Sequence, residues 1–150
     1  MIQVSEIMTR GIRKMTRNET VVQAAQAMSE LNVGIIPICD QEKLVGVVTD
    51  RDIVVRVVAQ GGAVQETPLS SVMSQDAYCC FEDQSVDEVA EQMRERQIRR
   101  VPVLDREKHL VGMLSLGDVA TKASDAIAGE TLEGISQPWG FVGARRSAHF

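Results

Sequence analysis

The sequence is poor in aromatic residues, with one Trp, one Tyr and three Phe among 150 residues. Core bulk must come instead from 20 Val, 10 Ile and 8 Leu. That aliphatic, β-branched supply suits strands with helices packed on them. Basic charge is not in excess either. The net charge of −5 disfavours a sequence-independent binder of phosphate backbones, which needs a basic face to release counterions. No apolar run approaches the ~18 residues required to span a bilayer. The start, MIQVSEIMTRG, lacks the charged-then-apolar order of a signal peptide. Cysteine is scarce: Cys39, Cys79 and Cys80 cannot all pair, and no C-x-x-C is present. They read as reduced thiols acting as small hydrophobes, which points to the cytosol. His109 and His149 show no partner at metal-ligand spacing, so no metal site is expected. What remains is ordinary for a packed domain: 44% hydrophobic and 25% charged, which excludes disorder over most of the chain.

The chain repeats itself. Residues 4–54 align with 69–120, at an offset of 65 that becomes 66 after the extra residue His109. Identities include Met8/Met73, Val21/Val86, Met28/Met93, Pro37/Pro102, Gly46/Gly112 and Asp52/Asp118. Two copies are too few for a solenoid. They suggest two similar halves closed about a pseudo-two-fold axis.

Each half reads alike, as an α+β unit. Thr20-x-x-Gln23 and Ser85-x-x-Glu88 are capping boxes. Helices follow, with Val21, Ala24, Ala25, Met28 and Leu31 at helical spacing in one, and Val86, Val89, Ala90, Met93 and Gln97 in the other. Ile35–Cys39 and Val101–Leu104 look like buried strands, each with a proline that suggests an edge or a strand start. Polar turns lead back into strands at 44–48 and 110–114. Second helices are expected at 50–59 and 116–128. The expected organisation is a first domain at 1–60, a Gly/Pro linker at 61–68, a second domain at 69–128 and a tail at 129–150 that includes Trp139.

At this point V-x-x-I-M-T, then G-I-I-P-I-x-D, then L-V-G-V-V-T-D-R-D-I resembles a CBS domain, named for cystathionine β-synthase. R-R-V-P-V-L-D followed by L-V-G-M-L-S-L-G-D-V resembles a second. Two in tandem resemble a Bateman module of the small stand-alone bacterial kind. The resemblance implies a regulatory, non-catalytic pair that binds adenosine-containing ligands: AMP, ADP, ATP, NAD(H) or S-adenosylmethionine. It also implies two clefts, a homodimer formed through helices, and an effector protein that the sequence does not name.

The central constellation is Gly46-x-x-Thr49-x-x-Asp52 and Gly112-x-x-Ser115-x-x-Asp118. A carboxylate can accept from both hydroxyls of a ribose in charge-assisted bonds, and Thr or Ser adds an adaptable donor. A helix start offers free N–H groups to phosphate, and the glycines let a ligand come close or bulge the strand. The same pattern is also a plain helix N-cap, and the two roles are compatible. Arg51, Arg99, Arg100 and Arg13 are the candidate phosphate cations; a solvated surface is their other reading. By the resemblance, Ser115 and Asp118 share a cleft with Gly11, Arg13 and Val33, with Arg99 or Arg100 at the phosphates. Thr49 and Asp52 share the other with Asp76, Tyr78 and Ile98, with Arg51. The first is expected to suit a phosphorylated nucleotide better, because Asp76 would repel phosphate in the second. Gly11, Ile12, Val33, Ile35, Tyr78, Ile98 and Val101 are candidates for the adenine slot, or simply core.

No Ser/His/Asp or Cys/His set is placed for nucleophilic catalysis and no Walker loop occurs, so no enzyme is expected. Two other readings stay open: a ligand-independent interaction module, and a thiol sensor at Cys79-Cys80.

Overall fold

The structure, a computed structural model, describes residues 1–123. The expected tail, with Trp139 and His149, lies outside the described residues; the helix expected to reach 128 instead ends at Lys122, because Ala123 is extended (φ −115°, ψ −178°) and cannot continue it. In chain order the elements are α1 (Val4–Ile7), α2 (Val21–Leu31), β1 (Ile35–Asp40), β2 (Lys43–Thr49), α3 (Asp50–Ile53), β3 (Cys80–Phe81), α4 (Val86–Arg96), β4 (Arg100–Leu104), β5 (Leu110–Ser115) and α5 (Leu116–Lys122). This is the α+β pattern the repeat implied.

The compact units do not follow the repeat boundaries. Among the described residues, one contains Met1–Ile12 together with residues 78–123; the other is Arg13–Ala77. Backbone bonds explain the exchange of leading segments. Val4 N–H donates to Gln84 O at 2.9 Å and Val86 N–H to Ile2 O at 2.9 Å, tying residues 2–4 to the second repeat. In the other unit Leu69 N–H donates to Glu19 O at 2.8 Å and Val21 N–H to Thr67 O at 2.9 Å. The expected linker thus packs with the first repeat.

In the unit Arg13–Ala77, α2 is opened by a reciprocal capping box between Thr20 and Gln23. It buries Val21, Ala24, Ala27 and Met28. Ala25 is exposed and Leu31 is 46% exposed, contrary to the spacing argument. Ala27 takes the inner position, since a stripe wider than 100° includes i+3 from Ala24 as readily as i+1. The second helix also departs from expectation. After one α turn it continues from Val54 to Val58 as π-helix, with Ala59 N–H bonded to Val54 O at 2.8 Å. Four of the five residues Val54–Val58 are β-branched valines, which crowd a normal helical turn.

In the unit that includes the second repeat, α4 buries Val86, Val89, Ala90 and Met93. Gln97 ends the helix in the left-handed conformation, at φ 54°, and is buried. The sheet order is β3-β4-β5, with β3 parallel and β5 antiparallel to β4.

Pro37 and Pro102 do not mark sheet edges. β4 is a central strand, and β1 pairs with β2 on one side and with Met15 on the other. Both prolines are tolerated for the same reason. Val47 exchanges both backbone bonds with Ser74 (2.9 and 2.8 Å), and Met113 does so with Thr9 (3.0 and 2.9 Å). Pro37–Val47 and Pro102–Met113 are therefore non-hydrogen-bonded pairs, which ask nothing of a proline nitrogen. On the other flank, pairing begins one residue later, at Ile38 and Val103.

The registers break between Ile38 and Cys39 and between Val103 and Leu104. The glycines next to these bulges serve the chain itself rather than a ligand. A Cβ at Gly46 would lie 2.9 Å from Ser74 O and 3.0 Å from Met73 Sδ; at Gly112 it would lie 2.7 Å from Met8 Sδ and 2.9 Å from Thr9 O. Glycine is required because the Met-Thr and Met-Ser segments press on the strand there.

Candidate functional site

Both motif residues sit where a strand turns into a helix. Thr49 Oγ1 accepts from Asp52 N–H at 3.0 Å, and Asp52 Oδ2 accepts from Thr49 N–H at 2.9 Å. Ser115 and Asp118 repeat this at 3.0 and 3.0 Å. The N-cap role is thus real in both copies, and it fixes the rotamer of each carboxylate.

A cation one turn on completes each copy, and the sequence reading missed it. Arg56 Nε lies 3.7 Å from Asp52 Oδ1, while its Nη1 donates to Val72 O at 2.9 Å. Lys122 Nζ lies 3.3 Å from Asp118 Oδ1 and donates to Ile7 O at 3.3 Å. These pairs are equivalent across the repeat, since 56 aligns with 122 and 72 with 7. The recurrence of positive charge four residues after each Asp was the available signal. Each cation binds the leading segment to the motif helix.

The expected phosphate seat is smaller than predicted. Asp50 N–H donates to Gly34 O at 3.0 Å, Arg51 N–H to Asp50 Oδ1 at 2.8 Å, and Asp52 N–H to Thr49 Oγ1. All three first-turn amides of α3 are consumed. In α5, Leu116 N–H donates to Arg99 O at 2.8 Å and Asp118 N–H to Ser115 Oγ. Only the Gly117 amide is left there among the described residues. Orphan amides attract anions only while they are unpaired.

Of the residues expected around Ser115 and Asp118, Gly11, Arg99 and Arg100 share their unit, while Arg13 and Val33 belong to the other. Arg51 and Asp76 share a unit with Thr49 and Asp52, while Tyr78 and Ile98 do not. Arg13, Arg51 and Arg99 are exposed and Arg100 is half-buried. Among the described residues none of these four forms an ion pair. Ile35, Ile98 and Val101 are buried in the cores of their units. Gly11 is exposed, and Ile12, Val33 and Tyr78 are half-buried. One face of the Tyr78 ring is already covered by the Arg96 guanidinium, 4.4 Å from its centroid. Thr9, which the sequence reading also missed, donates its hydroxyl to both Asp118 oxygens at 3.2 Å.

Two further groups differ from expectation or add to it. His109 does have partners: its Nδ1 lies 3.0 Å from Asp105 Oδ2 and 3.5 Å from Glu107 Oε2. Asp105 Oδ1 accepts from the Glu107 and His109 amides, both at 2.9 Å, so this cluster closes the hairpin turn. None of Cys39, Cys79 and Cys80 is in a disulfide. Burial pushes Cys79 up to about 11 and Cys80 up to about 12.

Among the described residues, no helix is long and apolar enough to cross a membrane. Comparison with known proteins agrees with the repeat. The CBS domain model matches residues 4–59 and again 69–125. A CBS domain-containing protein of Bacillus subtilis, YhcV, is 39% identical over 137 residues, covering 91% of this chain and 96% of its own. A CBS domain protein of Pyrobaculum aerophilum, solved in complex with AMP, is 27% identical with a TM-score of 0.73, covering 88% of this chain and 99% of its own. The CBS pair of MJ0100, solved with 5′-methylthioadenosine and S-adenosyl-L-methionine, is 29% identical with a TM-score of 0.65, covering 79% and 93%. With two such domains in tandem, the chain belongs to the CBS domain family.

Proposed function

We propose that the chain is a regulatory, non-catalytic module that binds an adenosine-containing ligand and signals through a shift between arrangements of its two repeats. The observation that carries this reading is the carboxylate in the first turn of each motif helix. Asp52 and Asp118 are held by capping boxes in one rotamer, a preorganised acceptor for a ribose diol. The AMP complex of the P. aerophilum relative and the methylthioadenosine and S-adenosylmethionine complex of MJ0100 support the ligand class. ADP, ATP and NAD(H) share the same adenosine. Arg99, Arg100 and the Gly117 amide are the phosphate partners in this reading, and Arg51 and Arg13 are secondary ones. Ile12 and Tyr78 in the unit that carries Asp118, and Val33 in the unit that carries Asp52, are the half-buried apolar candidates for contact with adenine. A ligand shifts the equilibrium only by its differential affinity for the two arrangements.

A thermal-shift panel of AMP, ADP, ATP, NAD, NADH and S-adenosylmethionine at about millimolar concentration tests this. A ligand at 100 times its Kd stabilises by about 2.7 kcal/mol, a rise of several degrees for a chain this size. No shift with any of them removes the sensing reading.

A second reading, an interaction module, is favoured by one observation. Val54, Val55 and Val58 are 57%, 44% and 58% exposed on consecutive turns. An apolar strip of this kind suits a homodimer contact or an effector protein. Sedimentation without ligand separates it from sensing: a stable dimer with no response in the ligand panel supports it alone. Cysteines outside any disulfide suit a reducing compartment such as the cytosol. Their high pKa values make thiol sensing the weakest of the three.

A further inference from the structure

The two carboxylates are not equally available. Asp118 has both oxygens occupied by the protein. Oδ2 accepts from Ser115 N–H and Thr9 Oγ1, at 3.0 and 3.2 Å, and Oδ1 from Thr9 Oγ1 and Lys122 Nζ, at 3.2 and 3.3 Å. Three donors therefore crowd a carboxylate that offers about four lone-pair positions, with the single Thr9 hydroxyl proton shared between its two oxygens. Asp52 accepts one hydrogen bond among the described residues, from Thr49 N–H, and its other oxygen faces only the Arg56 Nε at 3.7 Å. The residue equivalent to Thr9 is Ser74, which makes no such bond to Asp52. The capping bonds of the two networks match and a cation follows each Asp by four residues, Lys122 hydrogen-bonded to Asp118 at 3.3 Å and Arg56 at 3.7 Å from Asp52.

Resting on the reading above, we propose that Asp52 is the primary seat of the ribose diol and that Thr9 is the specificity-determining residue that closes Asp118. The Thr9 hydroxyl donates to the carboxylate as a sugar hydroxyl would. A ligand at Asp118 must displace it; a ligand at Asp52 displaces nothing. This reverses the preference for Asp118 that the basic residues alone suggested. Charge near the phosphate decides which 5′ group is tolerated, whereas the free lone pairs decide where a diol can be read at all.

The test is calorimetric titration of the full chain with AMP and, separately, with S-adenosylmethionine, whose 5′ ends are opposite in charge but whose ribose is the same. Wild type is expected to show one strong site, with any second at least about fivefold to tenfold weaker, the effect of one hydrogen bond. Asp52→Ala should abolish the strong site and Asp118→Ala should retain it. Asp118→Ala disturbs a buried network, so Thr9→Val, at an exposed position, provides the independent arm: it should bring the second site to within about twofold of the first. Two equal sites in wild type, or loss of the strong site in Asp118→Ala with retention in Asp52→Ala, overturns this assignment and leaves the ligand-sensing reading intact. No heat with either ligand overturns both.

Discussion

Lys122 Nζ lies 3.3 Å from the carbonyl oxygen of Ile7, a residue 115 positions earlier in the chain. The same ammonium lies 3.3 Å from Asp118 Oδ1, so it connects the leading segment to the carboxylate of the motif. Arg56 makes the equivalent connection from Asp52 to Val72. Both side chains are about half exposed, so their ion pairs are screened and the bonds position more than they stabilise. Lys122→Met should cost only about 0.5 kcal/mol. It should nevertheless raise amide exchange at Thr9 and Met113, whose reciprocal bonds hold the segment to β5. Unchanged exchange at both would show that the segment does not depend on the cation.

The strand glycines give a sharper test of packing. Gly112→Ala places a methyl within 2.7 Å of Met8 Sδ and 2.9 Å of Thr9 O. Overpacking of this kind costs about 1–3 kcal/mol, a fall in Tm of several degrees. Gly117→Ala is the contrast, because its nearest neighbour is Ser115 Oγ at 3.5 Å and the position is helical. It should be neutral or stabilising by up to about 1 kcal/mol. Thermal melts of the two variants moving in the same direction would contradict this account.

Much of this architecture is legible in the sequence. Capping boxes located the starts of α2, α4 and both motif helices, and short apolar runs on either side of polar turns located the hairpins. What stayed hidden has a physical reason in each case. The pairing of each leading segment with the opposite repeat, which brings Gly11 to the unit of Ser115 and Asp118, was available only from the family resemblance, because two near-identical edges at Met113 and Val47 give a one-dimensional reading no ground to choose between them. Pro102 looked like an edge marker because its missing N–H is harmless only once the register with Met113 is known. The motif amides looked free because nothing local announces that Gly34 and Arg99 carbonyls fold back onto them. Thr9 closes the V-x-x-I-M-T motif, but nothing in that motif gives its hydroxyl a role until the fold brings it to Asp118.

Acid sensitivity should centre on surface carboxylates. The Arg106 guanidinium holds Asp83 below its usual value, and the His109 and Glu107 amides with the His109 ring do the same for Asp105. A lowered folded pKa contributes stability above the unfolded value of about 4 that is lost as pH falls through the folded one. Denaturation curves from pH 7 to 3 should therefore show Asp105→Asn already lower at pH 7 and converging on wild type at the acid end. A constant gap across the range would contradict the linkage.

The thiols offer a chemical check. Cys79 at about 11 and Cys80 at about 12 are almost wholly protonated at pH 8, and only the thiolate attacks. Labelling by a disulfide reagent at pH 8 should run more than about a hundredfold slower than for an exposed thiol near 8.5. Rapid labelling of either residue in the folded chain would restore the redox reading.

The central claim is that a fixed carboxylate reads a ribose diol. The most direct measurement compares adenosine with 2′,3′-dideoxyadenosine by calorimetry, since the two differ only in the hydroxyls that carboxylate would accept. Charge-assisted bonds contribute about 1.5–3 kcal/mol, so the dideoxy compound should bind at least about tenfold more weakly, and Asp52→Ala should erase the difference. Equal affinities for the two nucleosides in the wild-type chain would contradict the account.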